Sequence, residues 1–510
     1  MKTGYTRSLM EIVFNDKGMI LEEYGVKNMQ KPLRTLVNAA VISVLATGVA
    51  HAAGFSLYGE GAGYAVGNFA AGSAAEAADA STGWYNPAGL ALLHEQQLVF
   101  GGVGIFPTLK LDGSSTFSTA TGLPPPFPSS VNYIQEFEGV DGSYNAFVPS
   151  FHYALPLGNR TTFGLSVTAP FGLSTDWAPD SPVRYSATYT EILTMDVSPE
   201  LGTQLTEHFA LGAGLDIQWS RAKFNQIIGA PTLFTTLDEN PASVDTLSYN
   251  KGQSWGLGFH VGVLGMFNDN HTRLGVNYQS RVRHVFYGHS RLTGILANDD
   301  FNLIFPVLPP EASRTNNDLF SNPQEFPDVL TLSAYQDVTD RLALLGSVVW
   351  TNWNVFKVIQ LNDVAVPNIG APPLFPVNQA NIESAVPQNY HDSWRVALGA
   401  NYYVNPNLML RVGGGYDQTP TNNIDRNVRL PDLDRWAIAV GAHYQWKPSI
   451  GIDVGYTHLF AGSKPNVHSV QELSATSTYF VDVDDGYFAA DLVGAQLTWV
   501  IDKVPPAPSK

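Results

Sequence analysis

The sequence predicts an all-β transmembrane barrel of fourteen antiparallel strands, with an N-terminal hatch (plug) inside the lumen. Three observations carry this. Alternating segments recur from Gln97 to the end of the chain; an apolar face over about ten residues with a period of two is how a strand meets lipid on one side and a lumen on the other. The connections between segments alternate between short and long, as turns at one membrane face and loops at the other require. Ahead of them lies Ala53 to Leu93, crowded with Gly and Ala and nearly free of charge. It is too apolar for a solvated linker and too rich in glycine for a stable helix, so it suits backbone packed closely inside surrounding walls.

Composition agrees. Of 510 residues only 14% are charged while 12% are aromatic, and mean hydropathy is near zero. That combination fits strands with two different faces better than a soluble enzyme. A net charge of −17 argues against a nucleic-acid partner and against docking on anionic lipid. The absence of cysteine excludes disulfides, thiolate metal sites and cysteine nucleophiles.

At the N-terminus, Lys31 and Arg34 precede an apolar run from Leu36 to Val49 and an Ala50-His51-Ala52 cleavage site, the pattern of a signal peptide. Met29 is then the start, with Met1 to Asn28 an upstream extension. The expected units are 1–52, removed; a hatch at 53–95; a barrel at 96–501; and a tail at 502–510.

Within the barrel the clearest strand is Phe209 to Arg221. Phe209, Leu211, Ala213, Leu215, Ile217 and Trp219 share one face, and Ala210, Gly212, Gly214, Asp216, Gln218 and Ser220 the other. Trp394 to Tyr402, Trp436 to Tyr444 and Ile450 to Tyr456 repeat the pattern. Strands are expected to begin near Gln97, Ala146, Thr161, Tyr189, Phe209, Ser254, Thr272, Asp328, Leu342, Ser393, Leu408, Leu433, Ile450 and Gly486. Short connections such as Asn268-Asp269-Asn270 and Asn405-Pro406-Asn407 carry turn residues. After Leu93 no run of about 18 apolar residues occurs, so the crossings are strands rather than helices.

These residues support a family resemblance. The hatch motif Asn86-Pro87-Ala88, preceded by Ala78-Asp79-Ala80-Ser81-Thr82, is followed by Phe171-Gly172-Leu173-Ser174-Thr175-Asp176, Trp219-Ser220-Arg221-Ala222-Lys223 and Gln253-Ser254-Trp255-Gly256. Later come Tyr278-Gln279-Ser280-Arg281-Val282, Trp394-Arg395-Val396-Ala397-Leu398-Gly399 and Leu430-Pro431-Asp432-Leu433-Asp434-Arg435-Trp436. In this order the chain resembles the FadL-type outer-membrane transporters of long-chain fatty acids, which include the TodX-like aromatic hydrocarbon channels. The resemblance implies a fourteen-stranded barrel with a hatch in a Gram-negative outer membrane. It implies passive uptake of a hydrophobic small molecule by a monomer that meets outer-membrane lipid, lipopolysaccharide and the barrel assembly machinery, with no cofactor and no enzymatic step. A general porin or an adhesin barrel is the alternative. One departure is the tail Asp502 to Lys510, which follows the place where such barrels usually end on an aromatic residue.

Site residues follow from both readings. The loops Phe224–Gly252 and Ser290–Pro327 are rich in apolar residues, among them Leu233, Phe234, Phe301, Leu303, Ile304 and Phe305; such residues capture a solute or pack on one another. Opposite parity to Leu274, Val276 and Tyr278 points Arg273, Arg281 and Arg283 into the lumen, and Arg395 follows the same rule. With Arg184 near the outer rim, they either bind a carboxylate or brace the barrel. In the family the third strand is kinked to open the wall sideways, and the hatch packs against the kink. Here Gly164, between Phe163 and Leu165, is the expected kink, and the Asn86 amide is expected to bond the exposed backbone. The free end, Gly54-Phe55, is the part a ligand would displace. Asp482-Val483-Asp484-Asp485-Gly486 lacks the spacing and distal Glu of a calcium loop, and no catalytic serine or zinc motif occurs.

Overall fold

The computed structural model describes residues 55–121, 128–301, 308–369 and 377–501. Fourteen strands run antiparallel around a closed barrel: β1 Gln96–Ala120, β2 Ala146–Pro156, β3 Thr161–Thr168, β4 Tyr189–Gln204, β5 Phe209–Ile228, β6 Thr246–Phe267, β7 Thr272–Gln279, β8 Val329–Thr339, β9 Leu342–Thr351, β10 Ser393–Asn405, β11 Leu408–Asp417, β12 Arg435–Lys447, β13 Ile450–Ala461 and β14 Ser477–Ile501. Pairing of β1 with β14, from Gln96↔Ile501 to Thr119↔Ser477, closes the ring.

Most strands begin where alternation in the sequence does. Two begin earlier than expected, β6 at Thr246 rather than near Ser254 and β14 at Ser477 rather than near Gly486. Both continue past the membrane, where the ladder needs no apolar face. There the outer halves of β1 and β14 pair with two further strands, Ser130–Asp141 and Val467–Glu472, in a sheet standing above the rim. Outward positions are apolar and exposed, Leu215, Leu257 and Leu398 among them, while Asp216, His260 and Asn401 face the lumen buried.

The hatch fills the lumen. Residues from Phe55 to Leu93 fold into single helical turns and are buried almost throughout. Small residues make this possible. Gly67 of the hatch meets Gly441 and Gly455 of the wall backbone to backbone, and a Cβ on Gly67 would lie 3.0 Å from the Gly441 Cα. At the periplasmic end a polar vestibule of about 410 Å³ opens beside Glu76, Asp79 and Arg273. The expected signal peptide, Gly54, the loop residues Leu303, Ile304 and Phe305, and the tail 502–510 lie outside the described residues.

Candidate functional site at the hatch and the third strand

The third strand is interrupted. β3 pairs with β4 up to Thr168↔Asp196, and its continuation Gly172–Asp176 resumes at Gly172↔Leu193. Four residues therefore advance against three, and Ala169, Pro170 and Phe171 leave the ladder. Proline explains the location, because it has no N–H to donate. On the other side the β2–β3 ladder stops at Phe151↔Val167, and Ala146 to Ser150 pair with β1 alone. The wall is thus unpaired between Ala146–Ser150 and the bend. Next to the last pair, the buried hydroxyls of Ser150 and Thr168 have no hydrogen-bond partner.

Backbone left unpaired at membrane depth is costly, and at the bend the hatch satisfies part of it. Leu57 N–H donates to Pro170 O at 2.9 Å and Gly172 N–H donates to Phe55 O at 2.8 Å, so Ser56 and Phe171 face each other as an antiparallel bridge. Thr194 of β4 covers the remaining side: Phe171 N–H donates to its Oγ1 at 2.8 Å, and its own N–H donates to Phe171 O at 3.1 Å.

The same hatch residue is clasped by rings. Phe55 is fully buried, with centroids of Phe171, Phe326, Trp353 and Phe356 at 5.9, 5.5, 4.5 and 5.2 Å, all edge to face. Tyr390, Phe224, Phe286 and Ile359 extend this apolar cluster. Beside it Phe224, Phe286, Phe326 and Phe356 line a cavity of about 20 Å³, room for roughly one water. The cage is therefore full with Phe55 in place. Arg429 stands at its wall, 5.9 Å over the Phe224 ring. It donates to Thr190 Oγ1 at 3.3 Å, Asn225 O at 3.2 Å and Gln226 Oε1 at 2.8 Å, and makes no ion pair among the described residues. Burial without a counter-charge lowers its pKa to about 10.

A family model described as outer membrane protein transport protein (OMPP1/FadL/TodX) matches residues 43–498. The chain belongs to this family. It is 25% identical to the long-chain fatty acid transport protein of Salmonella typhi over 85% of this chain and 93% of that one. It is 27% identical to outer membrane protein P1 of Haemophilus influenzae over 92% and 100% of the two chains. A solved FadL homologue of Pseudomonas aeruginosa shares the fold with a TM-score of 0.70, at 23% identity over 88% of this chain and 100% of that one. Members of the FadL/TodX family are outer-membrane transport channels rather than enzymes, and this chain is an outer-membrane barrel of a Gram-negative bacterium.

Within this FadL/TodX barrel several expected site residues fall elsewhere than the sequence suggested. Gly164 is not the kink. It lies in regular ladder opposite Ala154 and Glu200, and it is glycine because a Cβ would meet Glu200 Oε2 at 2.6 Å and Leu90 Cδ1 at 2.7 Å. Phe163 and Leu165 flank it on the outward face. Asn86 does not bond the third strand. Its Nδ2 donates to Ala74 O at 2.7 Å and Val263 O at 3.0 Å, and its Oδ1 accepts from Ala88 N–H at 3.1 Å. Asn86-Pro87-Ala88 instead sits on Gly202, Gly212 and Gly262 of β4, β5 and β6, where any Cβ would overlap it. The first hatch residues, Phe55 to Leu57, are what patches the bend.

The arginines also divide. Arg281 and Arg283 are exposed, because inward parity is lost at Ser280 after β7 ends and Val282 and His284 turn inward instead. Arg281 pairs with Asp328 and Glu325 at 3.1 and 3.0 Å. Arg395 is lumenal but braces the hatch, donating to Phe69 O at 2.9 Å with its guanidinium 3.7 Å over the Phe69 ring. Arg184 is saturated by Asp245 at 2.7 Å, Gln135 at 3.0 Å and Ser181 O at 3.1 Å. In the loops, Phe234 and Phe301 are buried against each other's neighbours, with Leu233, Val244, Leu296 and Ile295 in one small core. Arg429 escaped the sequence reading because a loop residue has no strand parity to betray its direction.

Proposed function

We propose that this protein takes up hydrophobic small molecules with an acidic head, long-chain carboxylic acids foremost. The solute is captured at the apolar outer loops, where Leu233, Phe234 and Phe301 already form a core and Leu303, Ile304 and Phe305 lie alongside in sequence. It then displaces Phe55 from its ring cage and leaves sideways into the membrane at the third-strand bend. One observation carries this reading: the hatch residue that fills the cage is the residue whose carbonyl caps the bend. Filling the cage with solute and uncapping the wall are then one event. No step in this scheme uses energy beyond the solute's own partition into apolar surroundings.

The acidic head follows from Arg429. A buried guanidinium held only by neutral oxygens beside an apolar cage is ready for a carboxylate, which would add charge-assisted hydrogen bonds. Measured on detergent-purified protein, oleate is expected to bind saturably and to quench Trp353, which meets Phe55 edge to face. Arg429→Gln is expected to weaken oleate by ~10- to 100-fold, the worth of hydrogen bonds to a charged group, and to leave oleyl alcohol unchanged. Absence of saturable oleate binding to the wild type would sink the transport reading itself. Equal loss of acid and alcohol would reduce Arg429 to a packing brace.

A further inference from the structure

Outside the barrel, one patch departs from the acidic character of the chain. Trp219 of β5 and Trp255 of β6 pair across the ladder and continue the lipid-facing rows that include Leu215, Ile217, Leu257 and Phe259. Towards the loops, the same outward positions turn basic: Arg221 and Lys223 on β5, Lys251 on β6, and Arg291 on the neighbouring strand Tyr287–Gly294. Lys223 lies directly opposite Lys251, Lys251 opposite His289, and Arg291 opposite Tyr249. At roughly 3.3 Å per residue, Arg221 and Lys223 stand about 7 and about 13 Å beyond Trp219 along the strand. That is headgroup depth above an aromatic girdle.

Like charges directly opposite in a sheet destabilise it, and this chain has acids to spare, 45 against 28 bases. Yet Glu191 of β4 is the carboxylate that pairs with the patch, at 2.7 Å from Arg221 and 3.3 Å from Lys223. Lys251 and Arg291 form no ion pair among the described residues. On the far side of His289 the strand Ala312–Ser321 carries Asp318, where its ladder is irregular. Burial, then the charges of Lys251 and Arg291, hold the His289 imidazole below its ordinary pKa, and its ring stacks on Tyr249 at 5.7 Å. Rings underlie the cations: Trp219 under Arg221 at 5.9 Å, Tyr189 under Lys223 at 5.3 Å and Tyr249 under Arg291 at 5.4 Å. Lys223 and Arg221 keep about a fifth of their side chains exposed.

We propose that Arg221, Lys223, Lys251 and Arg291 bind the phosphates of an outer-leaflet glycolipid whose acyl chains lie on the apolar wall beneath Trp219 and Trp255. A free anion would use the cations but not the wall directly below them; a phosphorylated lipid uses both. The net charge of −17 does not oppose this, since salt screens charges beyond about 10 Å and leaves the patch to act locally. At this face the proposal departs from the expectation from net charge, which argues against docking on anionic lipid.

The test is native mass spectrometry of the full chain in detergent, with bisphosphorylated lipid A as the probe. A variant carrying Lys223→Gln, Lys251→Gln and Arg291→Gln keeps the Arg221–Glu191 pair. It is expected to retain lipid A at least roughly tenfold less than the wild type, given the worth of each cation near a charged headgroup. Wild type is expected to retain dephosphorylated lipid A as poorly as the variant retains the phosphorylated form. Millimolar inorganic phosphate is expected not to displace the lipid. Heat-modifiable gel mobility reports folding, the single Lys251→Gln variant is expected to be intermediate, and Lys447→Gln at the periplasmic end is expected to lose nothing. Equal retention by folded wild type and triple variant overturns the proposal, as does full displacement by phosphate, which would make this a free-anion site.

Discussion

Replacing Phe55 by alanine is expected to release the first residues of the hatch from the wall. The ring is fully buried and held edge to face by four others, with centroids no farther than 5.9 Å. Removing such a ring costs about 3–5 kcal/mol, and the cost falls on the closed arrangement alone, since an expelled Phe55 has no cage to lose. The balance between closed and released hatch should move by about two to three powers of ten. Two amide protons report it, those of Leu57 and Gly172, the donors of the two bonds between hatch and bend. Their hydrogen exchange is expected to accelerate at least about 100-fold, while amides within the β5–β6 ladder stay protected. Phe55→Leu, which refills most of the space, should restore much of the protection. Unchanged exchange in Phe55→Ala would mean the rings do not hold the hatch.

A larger disruption is expected from Gly212→Leu. Gly212 faces the lumen from β5, and a Cβ there would overlap the Pro87 carbonyl carbon and the Ala88 nitrogen. These are backbone atoms with no rotamer to yield, so overpacking of more than about 3 kcal/mol is expected. The β5 ladder to β4 and β6 does not depend on the hatch, so the barrel should still assemble while Asn86 to Leu92 is driven off its seat. Loss of the seat opens the lumen. The variant is expected to conduct ions steadily in a planar bilayer where the wild type conducts little. Ala213→Leu, one residue along and facing lipid, should behave as wild type. A silent Gly212→Leu barrel, correctly folded, would show that the hatch does not seal through this contact.

The barrel was legible because alternation has one meaning when it recurs with short and long connections in turn. Where a strand leaves the membrane, as β6 does before Ser254, the apolar face stops and the pattern no longer marks the ladder. Parity failed for Arg281 and Arg283 because one residue, Ser280, ends a regular strand, and a single slip reverses every later side chain. The third strand held two breakers, Gly164 and Pro170. The glycine is explained by what lies against it, Glu200 and Leu90, a contact no local pattern reveals; the proline removes a ladder donor wherever it stands. Asn86 does cap backbone, but that of β6 at Val263. The ring cage was beyond reach, since Phe55, Phe171, Trp353 and Phe356 come from the hatch, the bend and a loop, and only the closed barrel gathers them.

The central claim is that Phe55 to Leu57 close the bend and must leave it for solute to pass. The bonds flanking Ser56 and Phe171 make them a non-hydrogen-bonded antiparallel pair, with Cα atoms about 4.5 Å apart, a spacing a disulfide accepts. The chain has no cysteine of its own. Uptake of radiolabelled oleate is therefore measured in cells carrying Ser56→Cys with Phe171→Cys, oxidised and then reduced, so that one protein is its own control. The expected result is uptake at background when the bridge is formed and recovery on reduction. Equal uptake in the two states, with the bridge shown to be complete, would contradict the claim that the hatch must leave the bend.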